Sequence, residues 1–283
     1  MRVADLLEAN EPLREAQTNR SRIEFFFTCS PCWPWYLLHK YPHIDLLTYV
    51  DADINFFHSP EEVFDELGDR SVGIIEHRFA PHLRHAASRG IYNVGWLSFR
   101  NDEDGLACLN WWQDRCIEWC YDRLEDDRYA DQKYLDVWPT KFKNVAVLQH
   151  KGANLAPWNL PNYVIRMDRD GLWVDDQRLI FYHFHALKQP SRWFFNSNLS
   201  VYGTPLYPCV RNDIYAPYVK LLQRETQRVM PLLPKKRFLR GIRHKEEQST
   251  AGKTPFQHLK ERLHYVKWLY RTIRAGDIYL CLR

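Results

Sequence analysis

Leu46-Leu47-Thr48-Tyr49-Val50-Asp51-Ala52-Asp53-Ile54-Asn55-Phe56-Phe57 is an apolar run that ends in two acids and turns apolar again at once. A continuous apolar run of this length is the pattern of a strand covered on both faces, as in the parallel sheet of an α/β fold. Ligands of such sheets bind beyond the carboxyl ends of the strands. Two Asp one residue apart at that edge can hold Mg²⁺ or Mn²⁺ through oxygen. A bare Asp-x-Asp is more often a solvated turn, but the apolar residues on both sides argue against an idle one.

Outward from this run, strand and helix patterns alternate. Apolar points at Leu6, Leu7 and Leu13 predict helix over 3–17. Residues 23–28 read as a strand, or as an apolar segment entering a Pro-rich turn, with a short helix over 36–39. Ser59-Pro60-Glu61-Glu62 has the spacing of a capping box and starts a helix running to Leu67. Strands are expected over 72–75, 94–99, 145–148 and 179–185. Leu106, Leu109, Trp112, Cys116, Trp119 and Cys120 recur at helical spacing across 103–124. A hairpin is expected around Asp170-Gly171. The fold class is therefore α/β, with a mixed sheet flanked by helices. Helical patterns return over 213–230 and 256–273, so residues 1–208 are expected to form the α/β domain and 209–283 a helical, basic extension.

The charge is unevenly spread. From Pro231 onward there are 13 Lys and Arg against 4 Asp and Glu, leaving 26 basic and 31 acidic residues in the body. Such a tail suits an anionic partner: a membrane surface, a lipid-linked acceptor or nucleic acid. Lys235, Lys236, Arg237 and Arg240 are the expected head-group contacts, and the helix after them either packs with a solvated basic face or anchors at a membrane surface. Seven Cys without a regular framework and a polar opening over 1–10 predict reduced thiols in a cytoplasmic protein. No apolar run approaches the roughly 20 residues needed to span a bilayer. Cys29-x-x-Cys32 lacks a second pair at zinc spacing.

Four segments, taken in order, resemble a family. Tyr49 to Phe57 looks like the Asp-x-Asp segment of GT-A-fold (Rossmann-like) glycosyltransferases, in particular the glycogenin-like and bacterial galactosyltransferase-like group. Tyr92-Asn93-Val94-Gly95-Trp96-Leu97 is similar to its Phe-Asn-x-Gly strand, and Tyr129-Ala130-Asp131-Gln132 to its Asp-Gln segment. Tyr182-His183-Phe184-His185-Ala186-Leu187-Lys188 is similar to its late His segment. The likeness covers roughly 20–190 and extends to uncharacterised bacterial proteins with the stretch from Gly152 to Asn159.

The resemblance implies a fold and a set of roles. Asp51, Asp53 and His183 would hold Mn²⁺ or Mg²⁺. Lys188 would contact the diphosphate of a nucleotide-sugar donor, and Arg20 and Arg22 would approach its nucleotide or phosphates. Asn93, Asp131 and Gln132 would meet the donor sugar. Transfer would go to a glycan or lipid-linked acceptor with retention at the anomeric carbon, UDP-sugars being the expected donors, and no nucleic acid is expected as a partner. The family opens with a nucleotide-binding strand and further β/α units, and 50 residues ahead of Asp51 predict an N-terminally shortened form. The Gly and Pro-Trp that normally follow the late His are replaced by Gln189-Pro190-Ser191.

The same residues carry plainer readings. His183 and His185 would face opposite sides of a strand, so one alone meets the metal. Asp131 also suits the N-cap of a helix over 132–137, and Asn93 a turn beside Gly95. Cys116, Cys120, Trp111, Trp112 and Trp158 read mainly as core. Two other functions compete: a phosphatase of the haloacid-dehalogenase type, in which the first Asp of Asp-x-Asp is the nucleophile, and a catalytically weakened binding protein on a shortened GT-A scaffold.

Overall fold

The acid-bearing run forms the first strand, β1 (Leu46–Val50). The computed structural model, which describes residues 2–191, 194–232, 267, 270–274 and 277–280, places three helices ahead of it: α1 (Val3–Ala9), α2 (Glu11–Ala16) and α3 (Arg22–Lys40). Asn10 separates the first two, and its side chain accepts the Leu13 N–H at 2.9 Å to cap α2.

α3 corrects the sequence expectation. Residues 23–28 are helix, not strand, and the helix runs through both Pro31 and Pro34. Ser21 and Glu24 close a reciprocal capping box at its start. Each proline removes one backbone hydrogen bond. Burial outweighs that loss, because Phe25, Thr28, Cys29, Cys32 and Leu38 all face inward.

The remaining elements of this part are β2 (Ile54–Phe56), α4 (Glu61–Leu67), β3 (Val72–Glu76), β4 (Tyr92–Arg100), α5 (Glu103–Glu118), the one-turn α6 (Trp138–Lys141) and β5 (Val145–Leu148). After the hairpin strands β6 (Ile165–Asp168) and β7 (Gly171–Val174) come β8 (Gln177–Arg178) and β9 (Phe181–His183). The main sheet has the order β1-β4-β3-β5. β4 runs antiparallel to both neighbours and β3 pairs parallel with β5, so the sheet is mixed.

β1 is thus an antiparallel edge strand, where a buried parallel one was expected. Its apolar run has another cause. Leu47 and Tyr49 pack toward the α3–α5 side with Val72, Ile74, Leu97, Phe99, Leu109 and Trp112. Leu46 packs toward the other side with Trp96, Leu148, Phe181 and the α4 residues Val63 and Leu67. Apolar continuity reports coverage on both faces, which helices on either side supply here to an antiparallel edge.

α4 starts as expected, with a different cap. Pro60 is the N-cap residue, and the Ser59 hydroxyl accepts the Glu61 N–H at 3.4 Å. Glu62 reaches His150 Nε2 at 3.0 Å and leaves the box unclosed. α5 is capped by Asp102, which accepts the Gly105 N–H at 2.8 Å.

The chain divides into two compact units, Met1–Tyr163 with Val174–His183, and Val164–Trp173 with Phe184–Arg283. In the second, β6 and the start of β7 flank the Asp170-Gly171 turn, and Trp173 Nε1 donates to Asp168 at 2.9 Å. β11 (Phe194–Asn196) pairs antiparallel with β10 (Lys188–Ser191) and with β12 (Ile278–Leu280). α7 (Ala216–Val229) fills the helix expected over 213–230, and Phe184 stacks on its Tyr218 at 3.7 Å. Buried Asp277 accepts from Ser197 and Ser200. The polar, basic stretch over 234–253 and most of the helix expected over 256–273 lie outside the described residues. Residues 270–274 are helical, with Tyr270 and Ile273 exposed.

Candidate metal centre

Asp51 and Asp53 occupy the turn between β1 and β2, beyond the carboxyl end of β1. β2 pairs antiparallel with β9, and the register sets Ile54 opposite His183. This pairing brings the imidazole onto the acids. His183 Nε2 lies 3.0 Å from Asp53 Oδ1 and 3.7 Å from Asp51 Oδ2. The His183 side chain is 3% exposed, against 31% for Asp51 and 45% for Asp53. His185 falls in the second unit and is exposed.

Each ligand candidate is held from behind. The Asp51 N–H donates to Gly95 O at 3.1 Å, and the Tyr49 hydroxyl donates to Asp51 Oδ1 at 2.9 Å. The His183 N–H donates to Leu155 O at 2.8 Å, and its ring meets Trp158 edge-on at 5.2 Å. Gly95 in β4 packs against that ring. A Cβ there would sit 2.9 Å from His183 Nδ1 and would collide with Asn93 Oδ1.

Asn93 stands behind this wall. Its Oδ1 accepts the Gly95 N–H at 3.0 Å, and its Nδ2 donates to His77 Nε2 at 3.1 Å. The His77 Nδ1–H in turn donates to Ile91 O at 3.0 Å. Asn159 ties the following loop down through His77 O and Asn154 O, both at 2.9 Å. Buried Asn93 therefore fixes the β4 backbone under His183, and sequence reasoning missed its partner His77, which carries no pattern of its own.

Asp131 is buried beside the same group. Ser30, whose hydroxyl donates to Phe26 O at 3.4 Å, lies beside it and Tyr49, while Trp112 Nε1 donates to its backbone oxygen at 2.8 Å. Burial pushes its carboxyl up to about 7, with the Asp51 charge adding to the rise and Ser30 opposing it. Burial also raises Asp51, against His183 and the Tyr49 hydroxyl, which pull it down. The short turn after Asp131 has Gln132 as its N-cap residue and no side-chain cap bond, so Asp131 is not a helix cap.

The rise at Asp131 has a consequence for stability. An acid whose folded value lies above its ordinary 3.8 stabilises the fold below that value and loses this contribution as pH rises toward about 7. With EDTA present, urea unfolding of the wild type should weaken across this window by about 4 kcal/mol. Asp131→Asn should flatten the profile, and parallel profiles for the two proteins would remove Asp131 as the cause.

The remaining candidates have the following surroundings. Arg20 lies over the Tyr121 ring at 4.0 Å and donates to Ile117 O and Glu118 O at 3.1 and 3.2 Å, at the end of α5. Arg22 is exposed at the first turn of α3, 5.4 Å from the Phe26 ring centre. Gln132 Nε2 donates to Arg89 O at 3.3 Å. Lys188 is exposed on β10, opposite Asn196, in the second unit. The described cysteines are all free thiols, and no helix among the described residues is long and apolar enough to cross a membrane.

The chain matches no family model. It is 30% identical over 233 residues to the uncharacterized protein YfnD of Bacillus subtilis strain 168, a match covering 81% of this chain and 74% of that protein. It is 31% identical over 226 residues to the uncharacterized protein YfnF of the same strain, covering 77% and 71%. Among solved structures, a glycosyltransferase involved in the glycosylation of the major capsid of PBCV-1 is similar over 60% of this chain and 74% of that one, with a TM-score of 0.42 and 15% identity.

Proposed function

The chain belongs to the family of YfnD and YfnF of Bacillus subtilis, and from that premise we propose that it is a metal-dependent glycosyltransferase using a nucleotide-diphosphate sugar. The observation that carries this reading is the meeting of Asp51, Asp53 and His183 at the end of β1, with both carboxylates within 3.7 Å of one imidazole nitrogen. Two carboxylate oxygens and a neutral imidazole suit Mn²⁺ or Mg²⁺. A divalent ion held there supplies neutralisation of the charge that builds on a departing diphosphate.

The chain's own residues do the rest by positioning. His183 must stay neutral to be a ligand, and its burial under Gly95 and Trp158 fixes the ring plane. Tyr49 orients Asp51 by its hydrogen bond. In transfer with retention, the bond from the anomeric carbon to the diphosphate oxygen breaks. The acceptor oxygen bonds to that carbon from the same face, and its proton passes to the departing phosphate. No side-chain base is required. UDP-sugars are the first donors to try, with a glycan or lipid-linked acceptor on the cytoplasmic side.

A thermal-shift panel of nucleotide sugars with and without Mn²⁺ tests this directly. A matching donor at 100 times its dissociation constant should stabilise the protein by about 2.7 kcal/mol, only when Mn²⁺ is present. A panel in which no nucleotide sugar raises the melting temperature with Mn²⁺ sinks the proposal.

A further inference from the structure

The segment joining β3 to β4 carries a charge pattern that the metal centre leaves unused. Residues 77–91 hold three Arg and three His and no Asp or Glu. Pro81–Arg89 winds as a tight 3₁₀ helix with no buried residue, and His82, Arg84, His85, Ser88 and Arg89 are all exposed. Arg78 is committed inside, donating to His150 O and Ala153 O. Arg84 and Arg89 enter no ion pair among the described residues, although Arg89 does lie 5.7 Å from the Tyr129 ring centre.

The segment is also held firmly at both ends. His77 N–H donates to Ile91 O at 2.9 Å, and Ile91 N–H donates to Asp136 Oδ1 at 2.7 Å. Gln132 Nε2 binds Arg89 O at 3.3 Å. Strand register places it at the edge that bears the acids: β3 ends with Glu76 opposite Tyr92, where β4 begins, and β1 ends with Val50 opposite Trp96.

We propose that residues 81–89 bind a phosphate group on the acceptor, so that this transferase works on a phosphate-bearing substrate. On the transferase reading the donor's diphosphate would already be met by an ion on the two carboxylates. A neutral sugar acceptor is recognised through hydroxyls and needs no cationic strip. His82 and His85, three apart on a 3₁₀ helix, share one face, and Arg84 and Arg89 flank it on either side; two guanidinium groups with no ion pair among the described residues and two imidazoles match the several oxygens of a phosphate. The word acceptor rests on the transferase reading; the anion site itself does not.

Inorganic phosphate in EDTA-containing buffer is the probe, read by NMR at the imidazole signals of His82 and His85. Saturable shifts are expected, weakened about five-fold or more in Arg84→Gln/Arg89→Gln and unchanged in Asp51→Asn/Asp53→Asn. Glucose 1-phosphate should shift the same signals. Immobile imidazoles, or a double arginine variant that titrates like the wild type, overturn the site. Shifts caused only by phosphatidylcholine vesicles doped with phosphatidic acid, and by no soluble phosphate, overturn it in favour of a membrane surface. In transfer assays the double arginine variant should raise KM for a phosphorylated acceptor about ten-fold with kcat kept, and leave the dephosphorylated acceptor unaffected. Equal losses on both acceptors overturn the acceptor role. Absence of transfer by the wild type itself would strike the transferase reading, while the NMR titration still decides the anion site.

Discussion

Asp51→Asn combined with Asp53→Asn should abolish Mn²⁺-dependent sugar transfer and donor hydrolysis, lowering kcat by about three orders of magnitude. The size follows from the charge at stake. With both carboxylates present, two negative charges are available to hold a divalent ion where it would offset charge building on the diphosphate. Replacing both acids leaves His183 as the one candidate ligand of the three, and several kcal/mol of transition-state stabilisation go with the ion. The folded structure should survive, because Asp51 and Asp53 are 31% and 45% exposed. Melting temperature and Mn²⁺ titration calorimetry would separate lost metal from lost fold. The opposite finding is also informative: hydrolysis of simple phosphate esters by the wild type, abolished by Asp51→Asn alone, would make Asp51 a nucleophile and the protein a phosphatase.

Gly152→Ala should be the most damaging single methyl group. Gly152 lies in the loop after β5, and an added Cβ would run into the backbone carbonyl of Arg178. Neither partner is a flexible side chain, so the chain itself must move. Gly152 O accepts from Ile180 N at 2.9 Å and Phe181 N at 3.1 Å, which are the bonds that seat β9. A cost of about 3 kcal/mol or more is expected, lowering the melting temperature by roughly 6–12 °C. Because β9 carries His183, Mn²⁺ affinity should fall as well. A variant that melts within about 2 °C of wild type and binds Mn²⁺ equally would show that the loop yields freely.

Particular residues show how far the sequence could be read. The alternation of strands and helices was legible from periodicity, and β5 fell on the expected residues 145–148. The direction of β1 was not, since helices on both faces make an antiparallel edge strand as apolar as a buried parallel one. α3 was hidden by two prolines whose local penalty is outweighed by packing against partners distant in sequence. At the site, the acids were visible in one short run. His183 was reached through family resemblance, and its place 3.0 Å from Asp53 depends on the β2–β9 register. Tyr49, Ser30, Gly95 and His77 support the site through contacts that no local spacing announces. Arg20, a basic residue ahead of the acidic strand, is engaged at the end of α5.

The pairing of β2 with β9 also sets an order of assembly. Asp51 leaves the ribosome roughly 130 residues before His183, and closing a loop of that length is costly until its ends have something to dock on. The helices and the four strands of the main sheet, all numbered below 150, can fold first and offer β2 as an open template. The proposed cation site would then be complete only once the chain has grown past His183, since a nascent or prematurely ended chain holds the acids without the imidazole. Full affinity for a divalent ion would thereby report that synthesis of the first unit is finished.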